Sequence, residues 1–165
     1  MRNSSSFLPR HSFAKYLLFL LPVFILINCD NCGNAGYTFD AASIINMEKT
    51  PCFGACPTFT FEINGKGEAT YKGDANVDKL GNYTKVFTAD ETNKIFQTFV
   101  DADFWSFQDE YTGNVTDLPT TFLQFKHDGN DKRIRMYYDV PQELRDLEAQ
   151  VDTLANSDGW TFVSN

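Results

Sequence analysis

The chain has 165 residues, of which 42% are hydrophobic and 15% aromatic, so it is long enough to form one domain with a substantial core. Its formal net charge is −8, but the charge is uneven along the chain, because no acidic residue precedes Asp30. From residue 29 onward, 11 Lys and Arg face 22 Asp and Glu, which gives a formal charge of −11. A body this acidic repels phosphate backbones, so nucleic acid is not an expected partner.

Residues 1–28 have the organisation of a signal peptide. A stretch with three basic side chains precedes an apolar run of twelve residues, Tyr16–Ile27. A helix that spans a membrane needs about 20 apolar residues, and Pro22 further disfavours a straight permanent anchor. We therefore predict that this run is the apolar core of a signal peptide.

The apolar run ends with Leu26-Ile27-Asn28-Cys29, which resembles the bacterial lipoprotein box. In lipoproteins the cysteine of the box becomes the lipidated first residue of the mature chain, so Cys29 is the predicted lipidation site. Asn28 departs from the Gly, Ala or Ser that usually precedes the cysteine. An ordinary secreted protein, an uncleaved anchor and a misassigned start stay open as alternatives.

The resemblance to the lipoprotein box implies a place for the protein in the cell. It would be a lipid-anchored protein of the bacterial cell envelope that faces the periplasm or the exterior, with the membrane as a partner. Several acyl chains on Cys29 would hold it firmly, since each buried CH₂ contributes about 0.8 kcal/mol.

Residues 29–47 are a mixture of small and polar residues, and we predict that they form a tether. A short strand near Ser43–Met47 is a candidate within it. Cys32 also lies in the tether, as a free thiol or as one half of an intermolecular disulfide. Residues 48–165 are then predicted to form a single domain.

The body opens with Thr50–Pro57, which reads Thr-Pro-Cys-Phe-Gly-Ala-Cys-Pro. A proline directly outside each cysteine favours extended backbone for the residue before it. The predicted location outside the cytoplasm is one where disulfides persist, and the spacing of Cys52 and Cys56 around Gly54 allows their Cα atoms to approach. A structural disulfide is therefore the favoured interpretation of this pair.

Two other interpretations of Cys52 and Cys56 stay open. A redox-active pair normally has two residues between the cysteines and a helix behind them that lowers the thiol pKa, whereas three residues intervene here and a strand is predicted to follow. A copper or zinc site would use both thiolates with His127 as the third ligand, since no other histidine follows the leader.

Three strands are predicted in the first part of the body. Thr58–Ile63 alternates strictly between polar and apolar residues, which is typical of a half-buried strand. Asn64-Gly65 favours a tight turn into a return strand at Glu68–Lys72. A third strand is predicted at Asn82–Thr88.

A helix and two more strands follow. Thr88 and Glu91 have the spacing of a capping box, and apolar residues then recur at helical spacing, so a helix is predicted over Ala89–Ala102. Further strands are predicted at Thr120–His127 and Lys132–Tyr138, joined by a polar turn, and the second of them places Ile134, Met136 and Tyr138 on one face.

A second helix is predicted to begin at Pro141, because proline is favoured in the first helical turn. Its apolar stripe consists of Leu144, Leu147, Val151 and Leu154. The short tail with Trp160, Phe162 and Val163 is expected to pack back on the body.

The predicted element order is βββ-α-ββ-α. Hairpins and strict alternation favour an antiparallel sheet with one face covered by helices. We therefore predict an α+β fold of two layers, in which two helices pack on one face of a five-stranded, mostly antiparallel sheet.

Enzymatic chemistry is not expected from this sequence. A single histidine in the body and the lack of a Gly-x-Ser-x-Gly motif leave no evident base and nucleophile pair, and no Gly-rich phosphate loop occurs. Acidic residues cluster after the first helix, and we interpret them as a solvated face, with a carboxylate-pair hydrolase as a remote alternative. No cofactor is predicted.

A second loop, Thr116–Thr120, contains Asp117 before Leu118 and Pro119. We predict an Asx turn at Asp117 that fixes the chain before the fourth strand. The functional alternative is that this loop lines a binding site together with the cysteine loop.

Several motifs together resemble an uncharacterised bacterial domain family that is found mainly in envelope lipoproteins and opens with Thr-Pro-Cys-Phe-Gly-x-Cys-Pro. The matching features are Thr50–Pro57, the Asn64-Gly65 hairpin, Asn76-Val77 with Gly81, Phe104 before Tyr111-Thr112-Gly113, and Thr116–Thr120. The resemblance spans about Glu48–Leu154. It implies location and fold, because the family has no established activity to carry over.

The functional hypothesis is a non-catalytic binding or structural domain of the envelope. Its candidate binding surface combines Phe53, Gly54, Asp117, Pro119 and Tyr138, and its expected partner is an envelope protein or a glycan. The alternative hypothesis is a copper-binding or thiol-redox protein that uses Cys52 and Cys56.

Overall fold

The computed structural model describes residues 36–165. The predicted signal peptide, the lipidation site Cys29 and the leftover Cys32 lie outside the described residues. Within the described part of the chain, no helix is long and apolar enough to cross a membrane.

The body is an α+β structure built on one eight-stranded sheet. The strands follow the spatial order β5-β7-β6-β1-β2-β3-β4-β8, and every neighbouring pair is antiparallel except β5 and β7, which are parallel. The strand bounds are β1 Ile44–Lys49, β2 Thr58–Asn64, β3 Glu68–Ala75, β4 Gly81–Val86, β5 Glu110–Tyr111, β6 Thr121–His127, β7 Asn130–Met136 and β8 Thr161–Ser164. The α+β class is as predicted, whereas the prediction of five strands is wrong.

β1 begins in the region that the sequence assigned to a tether, and the candidate strand near Ser43–Met47 is confirmed by it. It sits at the centre of the sheet between β2 and β6, and its Ile45 and Met47 side chains are completely buried. The residues before it also belong to the body, since Phe39 is buried and the Tyr37 hydroxyl donates to the Phe87 carbonyl at 2.8 Å. Hydrogen bonds to residues far along the chain thus hold this polar segment in place. The domain therefore begins before Glu48.

The two other additional strands lie at the edges of the sheet. β5 has only two residues and pairs with β7. β8 pairs with β4, so the tail packs back on the body as expected, with Phe162 against Tyr83. Both strands are too short to produce an alternating pattern in the sequence. They form because they hydrogen-bond to strands that are distant along the chain.

Two helices, α1 at Ala89–Asp101 and α2 at Gln142–Ala155, pack on one face of the sheet, and a 3₁₀ turn follows α1 at Phe104–Ser106. The predicted capping box forms: the Thr88 N–H donates to Glu91 Oε2 at 2.9 Å, and the Glu91 N–H donates to Thr88 Oγ1 at 3.3 Å. The Thr88 hydroxyl also donates to the Glu91 carboxylate, and these bonds hold the pKa of Glu91 below its usual value.

The core lies between the helices and the sheet and is rich in aromatic rings. Phe125 of β6 is its centre, because its ring is completely buried and packs on side chains from both α1 and the 3₁₀ turn. The rings around it belong to Phe96, Phe99, Phe104 and Trp105. The opposite side of the sheet, which we call the open face, carries polar side chains such as Asn46, Glu62 and Thr70, and no element of residues 36–165 covers it.

Candidate functional site

Four connecting segments meet at one end of the sheet. β1, β3 and β7 end there and β2, β4 and β6 begin there, so segments 50–57, 76–80, 112–120 and 137–141 lie side by side. We call this region the disulfide end. Both loops that the sequence singled out belong to it.

A disulfide closes the first of these segments. Cys52 and Cys56 are bonded, with their Cα atoms 5.7 Å apart, and the three residues between them are all exposed. Asn76 Nδ2 donates to the Cys56 carbonyl at 3.1 Å, which ties the segment to the β3–β4 loop. Phe53 stands at the tip with 92% of its surface exposed. An aromatic ring is thus presented to solvent on a loop that is closed covalently.

Thr50 and Thr120 connect the disulfide loop to the Asp117 loop. The Thr50 N–H and the Thr50 hydroxyl both donate to the Thr120 carbonyl at 3.0 Å, and the Thr120 N–H donates to Thr50 Oγ1 at 3.1 Å. These three bonds extend the β1–β6 ladder by one residue on each strand. The two loops therefore leave the sheet from a common, fixed point.

The Asp117 loop projects Asp117, Leu118 and Pro119 into solvent. The predicted Asx turn does not form, because the residue two positions after Asp117 is a proline, which has no N–H to donate. The Asp117 carboxylate instead accepts a hydrogen bond from the neighbouring Thr116 hydroxyl at 3.1 Å. Asp117 itself has a φ of 70°, a left-handed conformation that aspartate tolerates better than most residues.

A groove of about 320 Å³ lies between the Asp117 loop, the segment after β7 and the first turns of α2. Its apolar wall comes from Leu118, Pro119, Met136 and Val140, together with the Tyr138 ring. The ring lies against Gly113, where a Cβ would be 2.4 Å from Tyr138 Cδ1, so only glycine at that position leaves room for it. The groove is open to solvent on the side of Tyr138.

Two of the three charged residues that line the groove, Arg145 and Glu148, have partners, whereas Asp139 makes no side-chain hydrogen bond or ion pair within residues 36–165. Glu148 accepts a hydrogen bond from the Thr121 hydroxyl at 2.9 Å and lies 3.5 Å from the Lys49 ammonium. Lys49 also pairs with Asp152 at 2.7 Å. Arg145 donates to Gln142 Oε1 at 2.8 Å and to the Val140 carbonyl. A ligand in this groove would meet apolar surface, the paired side chains of Arg145 and Glu148, and the Asp139 carboxylate.

The predicted surface residues are grouped in two neighbouring places. Pro119 and Tyr138 line the same groove, with Asp117 beside it, whereas Phe53 and Gly54 lie on the adjoining disulfide loop. Sequence reasoning missed Leu118, which lines the groove with 43% of its surface exposed. An apolar residue between Asp117 and Pro119 in a polar loop is the signal that could have identified it.

His127 is not part of this group. β6 begins at the disulfide end and finishes at His127, so the histidine lies at the opposite end of the sheet from Cys52 and Cys56. The proposed ligand set of both cysteines and His127 is therefore not assembled. In residues 36–165 no group of three or more His, Cys, Asp or Glu side chains is placed to hold a metal ion.

His127 instead belongs to a small polar cluster that the sequence did not reveal. Its Nδ1 lies 2.9 Å from Ser43 Oγ, and the Ser43 hydroxyl donates to Asp40 Oδ1 at 2.8 Å. Hydrogen bonds from the hydroxyl and the N–H of Ser43 hold the pKa of Asp40 below its usual value. Ser43 and His127 are 84 residues apart, so nothing local in the sequence points to their pairing.

The cluster has the residue types of a hydrolytic triad but not its arrangement. In a triad the carboxylate orients the histidine and the serine hydroxyl is open to substrate. Here the carboxylate of Asp40 binds the serine, and Ser43 is buried with only 1% of its surface exposed. The cluster ties the segment before β1 to the end of β6, which is a structural role.

Comparisons with known proteins address the domain as a whole. A search of the curated proteins gives no match for the chain. The family model described as "Domain of unknown function (DUF6438)" matches residues 43–155. The match begins directly before β1 and reaches the last residue of α2, so it includes the central strand and the entire disulfide end. The chain therefore belongs to the family of the domain of unknown function DUF6438.

Proposed function

We propose that the protein is a non-catalytic binding module of the bacterial cell envelope, anchored by a lipid on Cys29, which binds a partner through the disulfide end. The observation that carries this proposal is the exposure of Phe53 on a covalently closed loop. Large aromatic side chains dominate the energy of many interfaces, and a rigid loop loses little conformational entropy on binding. A solvent-exposed phenylalanine has no comparable role in the stability of the fold.

The chemistry of the disulfide end favours a protein over a glycan as the partner. Phe53, Leu118 and Tyr138 offer apolar surface, with 92%, 43% and 46% of their areas exposed. Glu148, Lys49 and Arg145 nearby are paired with other residues of the chain, which leaves Asp139 as the unpaired charged residue of the groove within residues 36–165. Apolar anchors surrounded by polar groups are typical of protein interfaces, and a glycan would find few free hydrogen-bonding side chains there.

The copper or thiol-redox alternative has no comparable support. Cys52 and Cys56 are joined to each other, and His127 lies at the opposite end of β6. A metal-binding or redox function is therefore not proposed.

Replacing Cys29 by serine tests the lipid anchor. We expect the Cys29→Ser variant to lose metabolic labelling with a fatty acid. It should either leave the membrane fraction or accumulate as the longer, uncleaved precursor. Cys32→Ser is the matched control, since it removes a cysteine three positions away and should leave both properties unchanged. Equal labelling of the Cys29→Ser variant and the natural protein would contradict the anchor.

Photo-crosslinking from the disulfide end tests the binding surface. A photoreactive phenylalanine analogue at position 53, 118 or 138 is expected to capture the same envelope protein, because the three side chains belong to one surface. The analogue at position 162 is the control and should not capture this protein. Phe162 is also an exposed aromatic residue, but it lies on edge strand β8.

The variant Phe53→Ala should reduce capture from positions 118 and 138 at least tenfold, in line with the loss of an interface hot spot of about 2 kcal/mol. The thermal unfolding of this variant should match that of the natural protein. If the three positions capture unrelated proteins, or if Phe53→Ala leaves capture unchanged, the disulfide end is not the binding surface.

A further inference from the structure

A hollow larger than the groove lies outside the disulfide end. Two adjoining depressions of about 400 Å³ and 300 Å³ lie on the open face of the sheet, above β2, β3, β4 and β8. They are direct neighbours, because Thr70 and Thr84 line both of them. We call the combined hollow the trough.

The trough follows from the register of the strands. Glu62 of β2 lies opposite Thr70 of β3, Thr70 opposite Thr84 of β4, and Thr84 opposite Thr161 of β8. Pairing thus places short threonine side chains in a row across the outer strands. The other half of the open face carries longer side chains, which stand higher above the sheet: Phe122, Gln124, Lys126, Arg133 and Arg135.

The side chains of the trough are rich in free hydrogen-bonding groups. The hydroxyls of Thr60, Thr70 and Thr84 make no side-chain hydrogen bond to any residue in the range 36–165. Glu62 and Glu68 accept hydrogen bonds only from amides, those of Asn46 at 3.3 Å and Asn64 at 2.7 Å. Hydroxyls and carboxylates therefore face solvent along the hollow, where they are able to donate to and accept from a polar ligand.

The charge of the trough gives no preference for an anionic ligand. Glu62 and Glu68 form no ion pair within the described part of the chain. Lys72 pairs with Asp74 at 2.9 Å, and the Lys85 ammonium donates to Ser157 and to the Asp158 carbonyl, both at 2.7 Å. The formal charges that line the trough cancel, Glu62 and Glu68 against Lys72 and Lys85, so nothing there attracts an anion. The chain from residue 29 onward carries −11, which repels acidic polymers.

A peptide is also a poor fit for the trough. Peptides that bind sheets add a strand at an edge, where backbone N–H and C=O groups are free. The trough lies mostly above β2, β3 and β4, whose backbones are paired on both sides. Edge strand β8 has a free outer edge, but a strand added there would extend the sheet beside the trough and would not fill it. A ligand there must supply many polar groups of its own and rely on side chains of the protein.

We propose that the trough is a binding site for a neutral oligosaccharide. Sugar hydroxyls are matched by the threonine hydroxyls and by the carboxylates of Glu62 and Glu68, and the C–H faces of the sugar rings pack on the exposed methyl groups of Val86 and Val163 at the rims. This site is separate from the disulfide end and does not depend on the function proposed for it.

The test is a titration of the full-length chain, solubilised in detergent, with the neutral tetrasaccharide tetra-N-acetylchitotetraose, followed by amide NMR shifts. We expect the largest shifts at Glu62, Thr70 and Thr84 and none at Phe53. The double variant Thr70→Val, Thr84→Val keeps the shape of both side chains and removes their hydroxyls. It should weaken binding about two- to tenfold for each hydroxyl lost.

Two controls make the result decisive. Thr98→Val removes a hydroxyl from α1, on the other side of the sheet, and should leave the affinity unchanged. The acidic tetrasaccharide tetragalacturonate should produce no shifts at the trough. The proposal is overturned by the absence of shifts up to the solubility limit of the neutral sugar, by shifts centred on Phe53 and Tyr138, or by equal binding of both sugars.

Discussion

Replacing Phe125 by alanine is expected to lower the free energy of unfolding by about 3–5 kcal/mol, the usual cost of removing a buried phenylalanine ring. Phe125 is completely buried at the centre of the aromatic core, and it stacks on Trp105 with ring centroids 4.9 Å apart. Removal of the ring leaves a cavity. The rings of α1 and of the 3₁₀ turn could fill this cavity only by leaving their own packed positions. Denaturant unfolding, followed by tryptophan fluorescence, measures the change.

The matched control is Phe122→Ala in the same strand. Phe122 lies three residues before Phe125 and points to the open face, where the Arg133 guanidinium lies 4.3 Å from its ring centroid. Its removal leaves no internal cavity, so the expected loss is about 1 kcal/mol or less. Equal losses for the two variants would mean that the helices do not cover the Phe125 side of β6.

This contrast also explains which strands could be predicted from the sequence. In β2 and β6 buried side chains alternate with partly or fully exposed ones, and the sequence predicted both strands. β1 has the buried pair Ile45 and Met47, but a polar, glycine-containing segment precedes it and hides the alternation. It becomes the central strand only because β2 and β6 hydrogen-bond to its two edges.

The candidate site was predictable to a similar degree. Pro51 and Pro57 identified the disulfide loop in the sequence, and Pro119 identified the Asp117 loop, because proline restricts the local backbone wherever it occurs. The contact between these loops depends on Thr50 and Thr120, which are 70 positions apart. The register of β1 on β6 brings them together, and no pattern within either segment encodes that register. The trough escaped prediction for the same reason, because its threonines come from four different strands.

Removal of the disulfide is expected to abolish presentation of Phe53 at a small cost in stability. The closed loop is short, so the double variant Cys52→Ser, Cys56→Ser should lose about 2 kcal/mol of unfolding free energy. The Thr50–Thr120 bonds and the strand ladders do not involve either sulfur, so the fold should persist. The exposed residues 53–55 lose their covalent closure, and Phe53 then has to be ordered when a partner binds.

Capture of the partner by the photoreactive analogue at position 138 should therefore fall in the double variant nearly as far as in Phe53→Ala. The tryptophan fluorescence of the folded state should stay unchanged, which separates loss of presentation from loss of the fold. Asn76→Gly is the control for looser local contacts, because it removes the hydrogen bond to the Cys56 carbonyl, suits the φ of 55° at this position and keeps the disulfide, so capture should persist. Full capture by a stably folded double variant would show that Phe53 acts without the covalent closure, and the rigid-loop argument would then be wrong.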